Sequence, residues 1–253
     1  MIKKIRLNHY ISQSGICSRR KADDLIKLGL IKVNNLTIKK LGYKVNYNDI
    51  IKYNNKILRI KNKIYLILNK PKNCITTIKD NINRVTVMEY IPDVYKNYKI
   101  NPVGRLDKNT TGILLLTNDG FLSKILTHPK YNIKKIYKIV LNKKIKFNDI
   151  LNIKNGIKLK EGKVKINNIN IIKNNKKIVY LSINIGWNRI IHRLFNKIGY
   201  KVLKLKRISF AGIKIDKYIK KEGKFKKLSK NFINKILKLN NIKYNINEKN
   251  NNN

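Results

Sequence analysis

Acid is what this chain has least of: its 253 residues carry 13 Asp and Glu against 59 Lys and Arg, a formal net charge of +46. That excess goes far beyond what solubility needs and points to a polyanionic partner, either nucleic acid or an anionic membrane surface. Part of it has a duller origin, since Ile, Lys and Asn dominate core-like and surface-like segments alike, as strongly AT-biased coding produces. The charge therefore speaks for an anionic partner and says little about affinity. Cysteine is scarce too. Cys17 and Cys74 are far apart, which excludes a disulfide framework and a CxxC redox or metal motif. The three histidines, His9, His128 and His192, have no zinc spacing, so no metal is expected. No apolar run is long enough to span a bilayer, because Lys or Asn interrupts each one, and Met1 to Leu7 lacks the apolar core of a signal peptide. Nor does any segment join an apolar helical face to a basic one, which removes the membrane-surface option. A soluble, cytoplasmic, nucleic-acid-directed protein with free thiols is expected. No nucleotide-binding motif is present, so no cofactor is expected either.

What is present organises into two parts. A hydrophobic fraction of 42% suffices for a packed core, and the length suits a small domain followed by a larger one. Over residues 3–60, Ile11, Ile16, Ala22, Leu25 and Ile26 recur at helical spacing in two short helices around Ser14-Gly15. A strand from Leu30 running into a turn at Asn34-Asn35, and a hairpin over Ile50 to Leu58, follow. Residues 61–63 form a linker. Strands are then expected at Ile64 to Pro71, Ile113 to Thr117, Ile136 to Leu141, Val164 to Ile172, Ile178 to Ile185 and Val202 to Ile208. Helices are expected at Val85 to Ile91, Phe121 to Thr127, Asn188 to Ile198 and Leu228 to Leu239. Many strands with few helices between them predict an α+β domain over 64–239 around a mostly antiparallel sheet. The Asn- and Lys-rich 240–253 reads as a disordered tail.

One stretch stands out. Gly104-Arg105-Leu106-Asp107-Lys108 precedes Asn109-Thr110-Thr111-Gly112 and the apolar run Ile113 to Thr117, which Asn118-Asp119-Gly120 closes. In so basic a chain, a carboxylate set between Arg105 and Lys108 is a candidate for chemistry, because flanking positive charge holds it ionised. Spacing alone equally allows a turn aspartate before a strand. The wording decides: GRLDxxTxGxLLLTNDG resembles the signature of the RsuA/RluB group of ribosomal RNA pseudouridine synthases. LNKP (Leu68 to Pro71), LTHP (Leu126 to Pro129), Lys135-Ile136-Tyr137, the series from Asn188 to Phe195, Ala211-Gly212 and the segment from Glu222 to Leu228 follow in that group's order. Ahead of them, the segment from Ile5 to Asn35, with Leu41-Gly42 and Asp49, resembles an S4 RNA-binding domain. The resemblance runs from residue 3 to about 232.

The resemblance implies a small N-terminal S4 domain and a mixed-sheet synthase domain. The implied reaction turns uridine in ribosomal RNA into pseudouridine, with no cofactor and no metal. Asp107 would be the essential carboxylate, either as nucleophile at C1′ or as base at the 2′ position. Arg105 would fill the space of the flipped base, and Tyr137 would pack on it. Hydrolytic glycosidases need a second carboxylate; none sits in a matching motif, and Asp119 reads as a turn residue. By the same likeness Arg6, Ser18, Arg19, Arg20 and Lys21 would hold RNA phosphate, with Lys70, Arg189 and Arg193 as further RNA contacts. Phosphate and shape recognition is what duplex RNA permits. Asn35 stands where the S4 family often has glycine, and asparagine tolerates the left-handed turn. The group usually shows Asn-Arg-Gln-Val-Arg-Arg, whose fifth place supplies the cation that pairs with the carboxylate. Here the series is Asn188-Arg189-Ile190-Ile191-His192-Arg193. Either His192 stays protonated and fills the role, or Arg189 or Arg193 takes it over, or the site is weakened. Within the group the chain is most similar to the large-subunit branch. The small-subunit branch and a non-catalytic ribosome-assembly factor remain as alternatives, and the partner expected is ribosomal RNA or a subunit precursor met by a monomer.

Overall fold

The computed structural model describes residues 4–172 and 174–243. They form two compact units, one from the chain up to Lys63 together with Asp93–Lys99, the other from Ile64–Pro92 and the chain from Ile100 onward.

The first unit begins with β1 (Ile5–Arg6), α1 (Leu7–Gln13) and α2 (Arg19–Lys27). Ser18 caps α2, its hydroxyl accepting the Lys21 N–H at 3.3 Å. Ser14, in the turn between the helices, donates to the Ile11 carbonyl at 2.6 Å. A four-stranded sheet in the order β3-β2-β5-β6 is built from β2 (Ile31–Val33), β3 (Leu36–Thr37), β5 (Ile51–Tyr53) and β6 (Lys56–Ile57). The short β4 (Lys44–Val45) pairs with β1 instead. Both hairpin turns put two asparagines at positive φ: Asn34 at 47° and Asn35 at 69°, Asn54 at 47° and Asn55 at 58°. Two consecutive left-handed residues match the right-handed twist of the flanking strands. Leu7, Ile11, Ala22, Ile26, Ile31 and Ile51 make the core. A short α3 (Asp93–Lys96) groups with this unit, and Lys61 donates to the Asn97 carbonyl beside it at 2.6 Å.

The second unit is one nine-stranded sheet. Its strands are β7 (Tyr65–Lys70), β8 (Asn101–Pro102), β9 (Thr111–Thr117), β10 (Lys135–Leu141), β13 (Asn168–Ile172), β14 (Asn175–Ile183), β15 (Val202–Phe210), β16 (Ile213–Lys214) and β17 (Phe225–Lys227). The spatial order is β13-β14-β10-β15-β9-β7-β17, with β8 on β9 and β16 on β15. Among the described residues the β15–β9 pairing is the only parallel one between named strands, which gives the antiparallel-dominated α+β class. β7 is buried at every position, so Tyr65 to Leu68 read as a continuous apolar run and not as an alternation, and the polar Asn69 and Lys70 that follow are buried too. On one side α4 (Gly120–Thr127) and α8 (Lys230–Leu239) add Leu122, Ile125, Ile233 and Leu237 to Ile67, Ile113 and Leu115. The other helices are α5 (Phe147–Asn155), α6 (Ile190–Lys197) and α7 (Ile215–Tyr218). β11 (Ile157–Leu159) and β12 (Gly162–Val164) form a separate hairpin.

Several expectations need correcting. The helix over Val85 to Ile91 is only a 3₁₀ turn, Val87–Tyr90. Val85 and Val87 are drawn into backbone bonds with Ile75, and Thr86 with Glu89 forms a capping box that starts the turn late. The strand expected over Val164 to Ile172 divides between β12 and β13. Asp119 is a buried helix cap and not a simple turn residue: Oδ1 accepts the Phe121 and Leu122 N–H groups, and Oδ2 accepts the Tyr65 hydroxyl at 3.0 Å. Asn240, placed in the tail by composition, ends α8 and donates to the Ala211 carbonyl at 3.1 Å, while Ile242 packs on the core. The remainder of the tail, residues 244–253, lies outside the described residues.

Candidate active site

The loop from Gly104 to Thr110 carries Arg105, Asp107 and Lys108 into solvent while its backbone is held from two sides. Leu106 turns inward, and Thr76 brackets it: the Thr76 hydroxyl donates to the Leu106 carbonyl at 2.7 Å and accepts its N–H at 3.2 Å. From the other side comes Lys70, at the end of β7, fully buried. Its ammonium donates to the carbonyls of Pro71 (3.0 Å), Lys108 (3.2 Å) and Thr110 (3.0 Å). All three protons of the ammonium are thereby used. Burial pushes the Lys70 pKa down to about 8, against the pull of Cys74, Asp107 and Glu222. Lys70 was expected among the RNA contacts; a side chain with no solvent exposure and three carbonyl partners shapes the loop instead. An ammonium in electrostatic reach of Asp107 from below also supplies part of the positive charge the carboxylate needs.

Beside this loop lies an open cleft of about 320 Å³, lined by Thr76, Asp80, Arg84, Arg105, Asp107 and Asn188 among others. Asp80 and Arg84 lock its far lip: the guanidinium meets the carboxylate at 2.7 and 3.2 Å, and Asp80 also takes the Arg84 N–H at 2.9 Å. The Arg84 hydrogen bonds hold the Asp80 pKa low, at about 2. Most acids in this chain are likewise spoken for: Asp49 by Asn34 and the Asn46 N–H, Asp149 by the Tyr200 hydroxyl, Glu161 by Arg193. Asp107 differs. Its carboxylate is exposed at the cleft and makes no hydrogen bond or ion pair among the described residues.

The third motif brings His192 and Arg189 to the same neighbourhood from α6. Arg189 caps the helix in a left-handed conformation (φ 45°), with its side chain exposed. His192 is half-buried. Burial lowers its pKa and the neighbouring Arg189 charge lowers it further, while Asp107 pulls the other way. The net direction is down, so the surroundings favour the neutral imidazole. The option of a protonated His192 as Asp107's cationic partner is therefore disfavoured by its surroundings. Arg193 is committed elsewhere: its guanidinium grips Glu161 at 2.7 and 2.8 Å and the Asn188 carbonyl at 2.9 Å.

Tyr137 lies in β10, buried beside the site. Strand register aligns Tyr137 with Arg207 in β15, Arg207 with Gly112 in β9, and Gly112 with Lys70 in β7. One row of four residues thus crosses the sheet where the Asp107 loop enters β9. A register shift between Ile136 and Tyr137 re-aims the strands there, as bulges beside active sites do. At Gly112 (φ +108°) a Cβ would lie 2.2 Å from the Arg207 carbonyl oxygen, so no side chain fits. Sequence reading overlooked Thr76, Asp80, Arg84 and Arg207. Only Arg207 left a signal: it shares strand parity with buried Leu205, whereas Lys204 and Lys206 take the opposite parity. In the first unit, Arg6, Ser18, Arg19, Arg20 and Lys21 are all exposed, the last four at the start of α2.

Among the described residues no helix is long and apolar enough to cross a membrane, and no cluster of His, Cys, Asp or Glu is arranged to hold a metal. Comparison with known proteins agrees with the geometry. Residues 64–197 match the RNA pseudouridylate synthase family, and residues 5–51 match the S4 domain. An uncharacterized RNA pseudouridine synthase of Aquifex aeolicus is 36% identical over 245 residues, covering 95% of this chain and 97% of that one. The ribosomal large subunit pseudouridine synthase B of Bacillus subtilis is 38% identical over 211 residues, 81% and 85% of the two chains. A solved structure described as a pseudouridylate synthase superposes with a TM-score of 0.65 at 27% identity, covering 92% of this chain and 99% of that one. An S4 domain followed by a synthase sheet, with the GRLD loop at the mouth of its cleft, belongs to the RNA pseudouridine synthase family.

Proposed function

We propose that this chain isomerises one uridine to pseudouridine in ribosomal RNA, and that its substrate is the large-subunit RNA that the Bacillus subtilis relative is named for. The observation that carries the reading is Asp107: an unbonded, exposed carboxylate on a loop braced by Thr76 and Lys70, in a chain whose other acids are largely engaged. The region 3–60 holds RNA by phosphate contacts from Arg6, Ser18, Arg19, Arg20 and Lys21, and the region 64–239 does the chemistry. Uracil leaves the helical stack, at a cost of roughly a few kcal/mol, and Arg105 takes the vacated space, where its flat guanidinium can stack and pair with phosphate.

In the cleft, Asp107 acts on the sugar, by attack at C1′ or by removal of the 2′ proton; both routes use the same ionised carboxylate. The N1–C1′ bond breaks with its electron pair going to the uracil ring. The ring turns on Tyr137, C5 bonds to C1′, and the proton leaving C5 is balanced by one gained at N1. Reactants and product are isomers, so the reaction calls for no oxidant and no external nucleophile. His192, whose surroundings favour the neutral ring, lies in electrostatic reach of Asp107, as does the Lys70 ammonium, which supplies positive charge.

The test is carbodiimide-adduct primer mapping of ribosomal RNA incubated with wild type and with Asp107→Asn. A single new stop that is absent with the variant supports the reaction and its carboxylate together. Tight binding without a stop, on naked RNA and on subunit precursors, sinks the catalytic reading in favour of an assembly factor.

A further inference from the structure

Arg207, buried, and Lys135, half-buried, are two cations with no acid to answer them. Arg207 is 2% exposed. Its Nε donates to the Ile113 carbonyl at 2.9 Å, its guanidinium carbon lies 4.6 Å from the Phe210 ring centroid, and Tyr137 is within side-chain hydrogen-bonding reach. Its Nη2 is fully buried and has no hydrogen-bond partner. An orphaned charged donor of this kind opposes folding, so its survival calls for a reason. Lys135, two residues before Tyr137 on β10, gives its ammonium to the carbonyls of Asn184 (2.7 Å) and Ile133 (3.2 Å). Burial pushes the Lys135 pKa down to about 8, and the nearby Arg207 charge is the second cause. Burial likewise lowers the Arg207 pKa, and Tyr137 is the one neighbour that opposes it. No carboxylate contributes to either group. Two like charges therefore stand near the tyrosine, Arg207 out of water and Lys135 half so, with one donor unspent.

Such a pair is unfavourable in the resting protein and favourable only when negative charge arrives. We propose that Arg207 and Lys135 form an electropositive floor for the uracil anion, stabilising the negative charge that the ring acquires when the N1–C1′ bond breaks. This rests on the reading of Asp107 and Tyr137 given above. The electron pair of the broken bond enters the uracil π-system and spreads over N1 and the two carbonyl oxygens. A preorganised positive field beneath that ring lowers the barrier without any reorganisation at the moment of cleavage. The ring stays charged until C5 rejoins C1′, so the same field holds it against escape. Hydrogen-bonded geometry explains the conformation of both cations; only an incoming anion explains their charge.

The experiment is single-turnover conversion of the mapped RNA by Arg207→Gln and Lys135→Gln, with Arg207→Lys and Lys135→Arg as charge-keeping controls. Each glutamine variant should slow conversion on the order of 100-fold, while the controls stay within about tenfold of wild type. RNA affinity should be unchanged. The discriminating readout is the same transcript made with 5-fluorouridine, whose ring leaves as a weaker base and needs the floor less. On that RNA the loss in the glutamine variants should shrink to about tenfold, measured as disappearance of the nucleoside from the target position. Equal losses on both RNAs, a loss of affinity in place of rate, or controls as slow as the glutamine variants would each overturn the proposal. If Arg207→Gln does not fold, Lys135→Gln decides alone. A wild type silent on every ribosomal RNA removes the underlying reading as well, whereas an active wild type with unimpaired glutamine variants removes only the floor.

Discussion

Arg19, Arg20 and Lys21 stand in water at the start of α2, whereas Lys70 and Arg207 are buried in the nine-stranded sheet, bonded to backbone carbonyls. The first set costs folding almost nothing and is available to phosphate. The second set opposes folding, since each buried cation gives up its hydration. One chain thus places lysine and arginine in two settings: exposed ones free to meet phosphate by releasing counterions, buried ones tied to backbone carbonyls beside the Asp107 loop. Net charge reports only the sum of the two, which is why it announces a polyanion and hides the site.

The contrast can be broken most sharply at Lys70. Lys70→Met leaves three buried carbonyls without a donor, so it should destabilise the protein by about 3–5 kcal/mol and release the Asp107 loop. Chemical denaturation measures the first effect and single-turnover conversion the second. A stable, fully active variant would mean that Lys70 braces nothing. The same lysine has a pH signature. Its folded-state pKa, about 8, lies below that of an unfolded lysine, so between pH 8 and about 10 the folded state has shed a proton the unfolded state keeps. The burial penalty is fully present below pH 8 and is relieved as pH rises, so wild type should gain stability relative to the variant across that window.

At the opposite pole, the triple change of Arg19, Arg20 and Lys21 to Ala should leave stability within about 0.5 kcal/mol. RNA affinity should fall, and the slope of its logarithm against log salt should flatten by roughly 0.7–0.9 for each phosphate no longer neutralised. An unaltered salt slope would take phosphate recognition away from α2. The smallest effect is expected at His192, which sits between the two regimes. Because burial and Arg189 lower the His192 pKa from its ordinary value, the activity ratio of His192→Arg to wild type should stay flat over pH 7–8 and change only at more acidic pH. A wild-type rate titrating above pH 7, with that titration absent in His192→Arg, would return His192 to the role of cation.

Much of this was legible in the sequence. The strand run Ile136 to Leu141 becomes β10, the Asn34-Asn35 turn adopts the left-handed geometry its residues permit, and the GRLD loop projects its aspartate into a cleft. What escaped has physical causes. α5 (Phe147–Asn155) carries three asparagines of low helical propensity; its two buried isoleucines, Ile150 and Ile153, hold it by packing. Two-residue strands such as β8 have too few positions to show a period. A lysine's letter does not tell which way it faces, so Lys70 passed for an RNA contact. The state of His192 depends on Arg189 and on burial, neither of which spacing reveals.

The pairing of β7 with β17 carries a consequence for the order in which the molecule is made. The Asn69 side chain reaches the Ile219 carbonyl across 150 residues of sequence, and Leu68 pairs with Phe225. The strand ending in Lys70 therefore keeps an open edge until nearly all of the synthase region has left the ribosome. Contacts in the S4 region are local by comparison, with Tyr10 reaching Leu58 across 48 residues. Short-range contacts form sooner than long-range ones. During synthesis the RNA-gripping part is ready first, and the chemistry switches on last.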